Sequence, residues 1–229
     1  MSEANGNSLH SLVGLSGFRC IVADPPWPYS GGGPKAYKND RTRETFPGAD
    51  HTMHYGSMTM PELCAMPVRN VSDNPAHLYL WTTNAFIREA HDLAEAWGFK
   101  VKTCLTWGKV KDDGTASMKT GYYFRGATEH CLFAVRGSLR LQVNHGKPTL
   151  YLSRRLPHSV KPEWFYALCE ECSPGPYLEL FARRPRFGWT VWGNEVEANA
   201  CAAKARAAID GTDSSSPTAV AYYPERAET

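Results

Sequence analysis

Short apolar runs that alternate with segments of helical periodicity extend through most of this 229-residue chain. Residues 19–23, 76–81 and 130–135 are too short for helices and rich in β-branched or aromatic side chains, so we interpret them as buried strands. Apolar residues recur at helical spacing over 86–97, with Asn84 as the predicted N-cap. Strands that alternate with helices predict an α/β fold, in which a mostly parallel sheet carries helices on both faces.

The same reasoning predicts the remaining elements: a short helix after Thr59, a strand at 99–107, a hairpin-like region at 139–152, a helix from about Pro162, and strands at 177–181 and 189–192. Residues 1–16 are rich in Gly, Ser and Asn and are expected to be a flexible lead-in. Residues 17–197 suit one folded domain, and 198–229 are expected to form a terminal helix and a disordered tail.

Composition excludes several classes of protein. The chain has 42% hydrophobic residues and a formal charge of +2, which excludes wholesale disorder and a protein that coats nucleic acid by net charge alone. No apolar stretch is long enough to span a bilayer, and the N-terminus is polar. We therefore expect a cytoplasmic protein with no membrane partner.

Seven cysteines, an odd number, are expected to be reduced thiols. Cys169 and Cys172 form a C-x-x-C pair, but no second pair of zinc ligands follows at comparable spacing. The pair ends an apolar helical stretch, which favours helix packing over redox chemistry. No metal is expected.

The segment Asp24-Pro25-Pro26-Trp27 directly follows the first predicted strand. Ligands of α/β sheets bind beyond the carboxyl ends of strands, so this is a position where chemistry is expected. The Asp24 carboxylate and the stiff proline carbonyls can accept hydrogen bonds from an amino group, and the Trp27 ring can stack. Such groups suit a planar base with an exocyclic amine, such as adenine. For the tetrapeptide alone, a tight turn with a capping Asp and a core Trp is an equal alternative.

Three further motifs follow in order: Tyr55-Gly-Ser-Met58, Glu179-Leu-Phe-Ala-Arg183 and Trp189-Thr-Val-Trp-Gly-Asn-Glu195. With the first motif, the set resembles the methyltransferase-A (MT-A) family of S-adenosylmethionine-dependent adenine-N6 methyltransferases, over about residues 19–196. The chain is most similar to the compact bacterial and phage members. The resemblance implies a Rossmann-like class I methyltransferase fold with permuted motif order, the catalytic motif preceding the cofactor-binding strand.

The resemblance also implies site residues. Catalytic roles fall on Asp24, Pro25, Pro26 and Trp27, and the target-base pocket would contain Trp27 and Tyr55. Contacts to S-adenosylmethionine fall on Asp24, Lys161, Glu179, Phe181, Arg183, Asn194 and Glu195. In this assignment Lys161 reaches the methionine carboxylate and Glu179 accepts from ribose hydroxyls. A carboxylate inside an apolar strand is costly without a partner, which favours a functional Glu179.

Basic residues concentrate in the middle of the chain. Residues 101–165 contain eleven basic and four acidic residues, a net charge of about +7 against +2 for the whole chain. A phosphate-tracking surface beside the active site would fit this excess. The predicted nucleic-acid contacts are Lys109, Lys111, Lys119, Arg125, Arg154 and Arg155. The neighbouring aromatics Tyr122, Tyr123 and Phe124 could stack on unpaired bases; a solvated loop with core aromatics is an equal alternative for any one of them.

The sequence thus predicts transfer of a methyl group from S-adenosylmethionine to N6 of adenine in DNA, on a flipped or unpaired base. An RNA adenosine N6-methyltransferase is the alternative enzyme, and a non-catalytic nucleic-acid-binding subunit is the alternative from another class. Restriction-modification is one role open to such an enzyme, and both a homodimer and a heteromeric assembly stay open.

Overall fold

The computed structural model describes residues 16–28, 57–119, 123–143, 146–157 and 160–193, and the backbone of two short strands between them. The strands are β1 (Phe18–Ala23), β2 (Tyr37–Lys38), β3 (Thr45–Phe46), β4 (Ser72–Thr82), β5 (Lys100–Val110), β6 (Thr128–Arg136), β7 (Leu150–Arg154), β8 (Tyr177–Leu180) and β9 (Trp189–Trp192). The helices are α1 (Met60–Cys64), α2 (Val68–Val71), α3 (Ile87–Ala96) and α4 (Glu163–Cys172), with a 3₁₀ turn at Asn84–Phe86. Almost all of the predicted lead-in and the whole of the predicted tail lie outside the described residues.

Seven strands form one sheet in the order β7-β5-β6-β4-β1-β8-β9. β1 pairs in parallel with β4 and β8, β8 with β9, and β5 with β7. β6 is reversed and pairs antiparallel with β4 and β5. The predicted α/β fold with a mostly parallel sheet is therefore confirmed, with one reversed strand.

Two local predictions are wrong. The described residues of the region predicted as hairpin-like, 139–152, contain the start of one strand, β7, which pairs in parallel with β5, and they contain no second strand for a hairpin. Asn84 does not cap the helix of 86–97, because a 3₁₀ turn precedes α3 and the Asn84 side chain lies 2.6 Å from His130 Nε2. The helix after Thr59 is confirmed, with a capping box between Thr59 and Glu62.

The two faces of the sheet carry separate cores, as the alternation of side chains along a strand requires. On one face, Ile21 and Leu80 pack with Leu63 of α1 and Leu93 of α3. On the other face, Val22, Trp81 and Cys131 pack against Phe165 and Cys169 of α4. Cys169 and Cys172 are buried free thiols, which confirms the packing interpretation of the C-x-x-C pair.

All six parallel strands of the large sheet end at one edge, and β6 begins there. We call this the carboxyl edge; the last strand residues that define it are Ala23, Thr82, Val110, Arg154, Leu180 and Trp192. Among the described residues, no helix is long and apolar enough to cross a membrane.

At the opposite edge, a buried polar network ties β4 to the end of α4. Leu139 O can only accept, so His77 Nε2 donates to it at 3.2 Å and His77 Nδ1 accepts from Ser173 Oγ at 2.8 Å. Ser173 Oγ in turn accepts from the Tyr79 hydroxyl at 2.8 Å. Burial lowers the pKa of His77, so the neutral ring that this network needs is the stable form.

Ser173→Ala should lower the free energy of unfolding by about 1–3 kcal/mol, because the buried Tyr79 hydroxyl and His77 Nδ1 lose their shared partner. Chemical denaturation measures the effect. Ser138→Ala, at an exposed serine, is the matched control and should leave stability unchanged. Equal stability of the two variants would show that the network contributes nothing.

Candidate active site

The predicted catalytic motif lies at the carboxyl edge, where β1 ends. Asp24 is the first residue after β1, and its side chain is 31% exposed. Pro25 O accepts from Trp27 N at 2.9 Å, and Pro26 O accepts from Met58 N at 3.0 Å. Each carbonyl oxygen has a second lone pair, so both proline carbonyls keep one acceptor position. The motif is thus a rigid turn with one partly exposed carboxylate.

The Trp27 side chain is buried and makes its contacts within the protein. The side chain is 3% exposed, and its ring stacks on Phe86 with centroids 5.6 Å apart and planes 11° apart. Trp27 Nε1 donates to Trp81 O at 3.2 Å. The predicted stacking of Trp27 on a target base therefore stays a prediction, and Phe86 is a neighbour that the sequence did not indicate.

Asp24 belongs to a chain of four alternating charges. Lys161 Nζ lies 3.0 Å from Asp24 Oδ2 and 3.0 Å from Glu129 Oε2. The other Glu129 oxygen pairs with Lys109 Nζ. We call these four residues the ion chain. It crosses three elements, since Asp24 follows β1, Glu129 lies on β6 and Lys109 on β5.

Two indole rings lie against the ion chain. Lys161 Nζ is 4.6 Å from the centroid of the Trp81 ring, and Lys109 Nζ is 4.4 Å from that of Trp107. The two rings meet edge to face with centroids 6.3 Å apart. Both ammonium groups therefore gain a cation–π contact where little water reaches them.

The pKa shifts follow from burial and from these pairings. Burial alone would lower the pKa of Lys161, but the charges and hydrogen bonds of Asp24 and Glu129 raise it above its ordinary value. Burial alone would raise the pKa of Glu129, but the two lysines bring it below its ordinary value. Burial lowers the pKa of Lys109, with a partial offset from Glu129. The charged forms of Lys161 and Glu129 therefore stabilise each other.

Glu179 lies on the same face of the sheet as the ion chain. It sits opposite Val22 on β1, and its carboxylate accepts from the Tyr166 hydroxyl at 2.8 Å. Burial raises the pKa of Glu179, and the Tyr166 hydrogen bond partly offsets the rise. Arg186 lies over the Tyr166 ring, 3.5 Å from its centroid. The partner that the sequence argument required for Glu179 is thus Tyr166.

The end of β8 turns sharply. Phe181, which follows β8, has a φ of 62°, a left-handed conformation that is uncommon outside glycine. A Cβ built on Gly193 would lie 2.0 Å from Ala182 O, so the backbones after β8 and β9 approach too closely for any larger residue. Arg183 is half-buried in the same turn. Phe181 and Arg183 therefore lie at the carboxyl edge, while Tyr55, Asn194 and Glu195 lie outside the described residues.

The predicted nucleic-acid residues divide into two groups. Lys111, Lys119, Arg125 and Arg154 are exposed, at or beyond the carboxyl edge. Arg155 is half-buried, with Nε donating to Ser117 Oγ at 3.2 Å. Lys109 is 7% exposed and belongs to the ion chain, not to the open surface.

Comparison with known proteins supports the predicted resemblance. Residues 18–195 match the MT-A70 family. The chain belongs to the MT-A70 family. This MT-A70 chain is 27% identical over 205 residues to the type II methyltransferase M.MunI of Mycoplasma sp, covering 80% of the chain and 79% of that relative.

Other relatives of this MT-A70 chain are much longer. It is 29% identical over 188 residues to a putative N(6)-adenosine-methyltransferase MT-A70-like protein of Medicago truncatula, and 25% identical over 189 residues to the human N(6)-adenosine-methyltransferase catalytic subunit METTL3. Each match covers 80% of this chain, but only 27% and 29% of those relatives. The chain therefore spans less than a third of their length.

S-adenosylmethionine is the methyl donor of this MT-A70 family. The face of the sheet that carries the ion chain suits such a ligand, because Lys161 is a cation for a carboxylate and Glu179 is an acceptor for hydroxyls. Trp81 Nε1 is buried and has no hydrogen-bond partner among the described residues. A buried donor without a partner is costly, which is consistent with a polar ligand next to the Trp81 ring. Among the described residues, no cluster of three or more metal-ligating side chains is present.

Lys161→Met should weaken S-adenosylmethionine binding by about 10- to 100-fold, because the variant loses the only cation predicted to face the methionine carboxylate. Isothermal titration calorimetry measures the affinity, and Lys102→Met, at an exposed lysine of β5, is the matched control. An affinity equal to that of the wild type would remove Lys161 from the cofactor site.

Proposed function

We propose that this MT-A70 chain transfers a methyl group from S-adenosylmethionine to N6 of adenine in DNA. The observation that carries the proposal is the Asp24 carboxylate, partly exposed at the carboxyl edge and held by Lys161 at 3.0 Å. Family membership supports adenine-N6 transfer as the reaction. No metal and no covalent enzyme intermediate enter the proposed reaction.

The chain's own groups bind and orient the target amine. The adenine N6 lone pair is delocalised into the ring, so acceptors on its N–H groups favour the geometry needed for attack. Asp24 accepts one N–H, and the free acceptor position of Pro25 O accepts the other. Bound S-adenosylmethionine supplies a methyl group on a positively charged sulfur. As the N6–C bond forms and the C–S bond breaks, N6 becomes acidic and its proton leaves through Asp24.

Exposed aromatics at the carboxyl edge support a single-stranded or flipped substrate. Tyr123 is 88% exposed and Phe124 is 93% exposed in the segment between β5 and β6. This segment starts and ends at the carboxyl edge and also carries Lys111 and Arg125. Aromatic side chains beside cations bind unpaired bases by stacking and phosphates by charge.

We propose DNA ahead of RNA as the substrate, because the type II methyltransferase M.MunI aligns with this chain over 79% of the length of M.MunI. RNA is the second candidate, since several relatives bear the name N(6)-adenosine-methyltransferase. Cytoplasmic location and the form of assembly, a homodimer or a complex with another subunit, stay predictions. The proposed biological role, restriction-modification, rests on the type II relative alone.

The first experiment incubates the purified protein with labelled S-adenosylmethionine and four oligonucleotides: duplex DNA, single-stranded DNA, RNA, and a DNA without adenine. Label in adenine-containing DNA supports the proposal, and label in RNA alone supports the alternative. No transfer despite nucleic-acid binding would support a non-catalytic subunit and overturn the proposal.

Asp24→Asn should reduce transfer at least about 100-fold, because the amide keeps the shape but presents one N–H donor where the amine needs an acceptor. Single-turnover rates measure the loss. Asp92→Asn, at an exposed aspartate of α3, is the control and should retain the wild-type rate. Wild-type transfer by the folded Asp24→Asn protein would exclude the mechanism.

Phe124→Ala should weaken binding of single-stranded DNA by about 1–3 kcal/mol, the usual value of one base–aromatic stack. Fluorescence anisotropy measures the affinity. Leu141→Ala removes a large apolar side chain that is 39% exposed beyond the opposite edge, so it serves as the control. Equal affinities for these two variants would place the nucleic acid elsewhere.

A further inference from the structure

Glu129 occupies a position that neither the motifs nor the proposed reaction explains. It is the second residue of β6, paired in register with Trp107 on β5. Its side chain is 24% exposed, and its two carboxylate oxygens contact two different lysines, Lys109 and Lys161. A carboxylate shared between two buried cations is a structural link between them.

Lys161 depends on that link for its position. Its side chain is 9% exposed and it lies outside the strands and helices, two residues before α4. Nζ has two carboxylate partners, each at 3.0 Å, and the Trp81 ring at 4.6 Å. Among the described residues, removal of Glu129 would leave Asp24 as the single carboxylate paired with Nζ, and the carboxylate that holds Nζ on the side away from Asp24 would be lost.

Lys109 provides a second counter-charge for the Glu129 carboxylate. If Glu129 were alone with Lys161, two carboxylates would compete for one ammonium. Because Lys109 also pairs with Glu129, the four charges alternate and sum to zero. Glu129 therefore does not draw the Lys161 ammonium away from Asp24. Only one oxygen of the Asp24 carboxylate is needed for this ion pair.

We propose that Glu129 is a positioning residue for methyl transfer: it fixes Lys161 between two carboxylates and so aims the Asp24 carboxylate at the target amine, with Lys109 as its counter-ion. The inference rests on the proposed function of the same site. Glu129 does not touch the substrate in this scheme and acts only through Lys161 and Asp24.

Other charged and titratable groups lie close to the ion chain. They are Cys131 on β6, Arg155 after β7, Tyr166 on α4 and Glu179 on β8. Glu129 is one of the two carboxylates that raise the pKa of Lys161. Loss of its charge should make Lys161 lose its proton at a lower pH.

The test compares Glu129→Gln with the wild-type chain. We expect kcat to fall about 10- to 100-fold, since a misplaced catalytic group can cost 100-fold, while KM for the nucleic acid stays within about two-fold. The alkaline limit of activity should move to lower pH. Glu129→Asp, which keeps the charge, should restore that limit towards the wild-type pH. Glu171→Gln breaks an exposed ion pair with Lys147 and should change neither quantity.

An NMR titration separates this inference from the proposed function. Lysine labelled with ¹³C at the ε carbon reports the protonation of Lys161, whose signal is assigned by its loss in Lys161→Met. A lower titration point in Glu129→Gln supports the inference even if no adenine substrate is methylated, a result that would overturn the proposed function alone. An unchanged titration of Lys161 in Glu129→Gln overturns the inference, whatever the activity.

Glu129→Gln removes one partner of a buried cation, which destabilises the folded chain. A second variant therefore tests the inference if Glu129→Gln does not fold. Lys109→Met with Glu129→Gln removes one charge of each sign and keeps the volumes similar. Its Lys161 signal should also titrate at lower pH than that of the wild type. The wild-type titration point in the folded double variant would overturn the inference.

Discussion

The ammonium of Lys161, between the carboxylates of Asp24 and Glu129, is the interaction on which the candidate site depends. A buried cation is tolerated only where its lost hydration is replaced, and two oxygens at 3.0 Å with an indole ring at 4.6 Å replace it here. Because those partners come from separate strands, the ammonium joins the end of β1 to the start of β6. The Asp24 carboxylate is therefore held through Lys161 and through Glu129 of another strand, and not by its own turn alone.

The direction of β6 explains how Glu129 reaches this position. In a purely parallel sheet only the residues after each strand meet at the carboxyl edge. β6 runs the other way, so its first residues, Glu129 and His130, lie where β4 and β5 end. Glu129 then pairs with the lysines, while His130 lies 2.6 Å from Asn84 on the segment after β4. β6 thus brings polar residues of a strand to the carboxyl edge. Parallel strands alone would contribute only the residues of the loops that follow them.

The two cores differ in what they carry at the carboxyl edge. One face packs aliphatic side chains, together with aromatic ones such as Trp27, Trp97 and Phe99, against α1, α2 and α3. The other face packs aromatic rings against α4 and, towards the carboxyl edge, carries Trp81, Trp107 and the ion chain. Aromatic faces accept cations where aliphatic side chains would only desolvate them. The aromatic-rich composition of the chain thus serves the site as well as the core.

The sequence alone determined most of the elements, the motif at the end of β1 and the family resemblance, because these depend on residue type, periodicity and order along the chain. It predicted Lys161 and Glu179, but not their partners, Glu129 and Tyr166, which belong to other elements and follow no spacing rule. It placed Lys109 on the nucleic-acid surface, and it left Trp27 as either a ring that stacks on the base or a core side chain. Only the tertiary structure decided that Lys109 is buried beside Glu129 and that Trp27 stacks on Phe86. The reason is physical: burial and charge pairing are set by the strands that lie side by side, and strand order is not local in sequence.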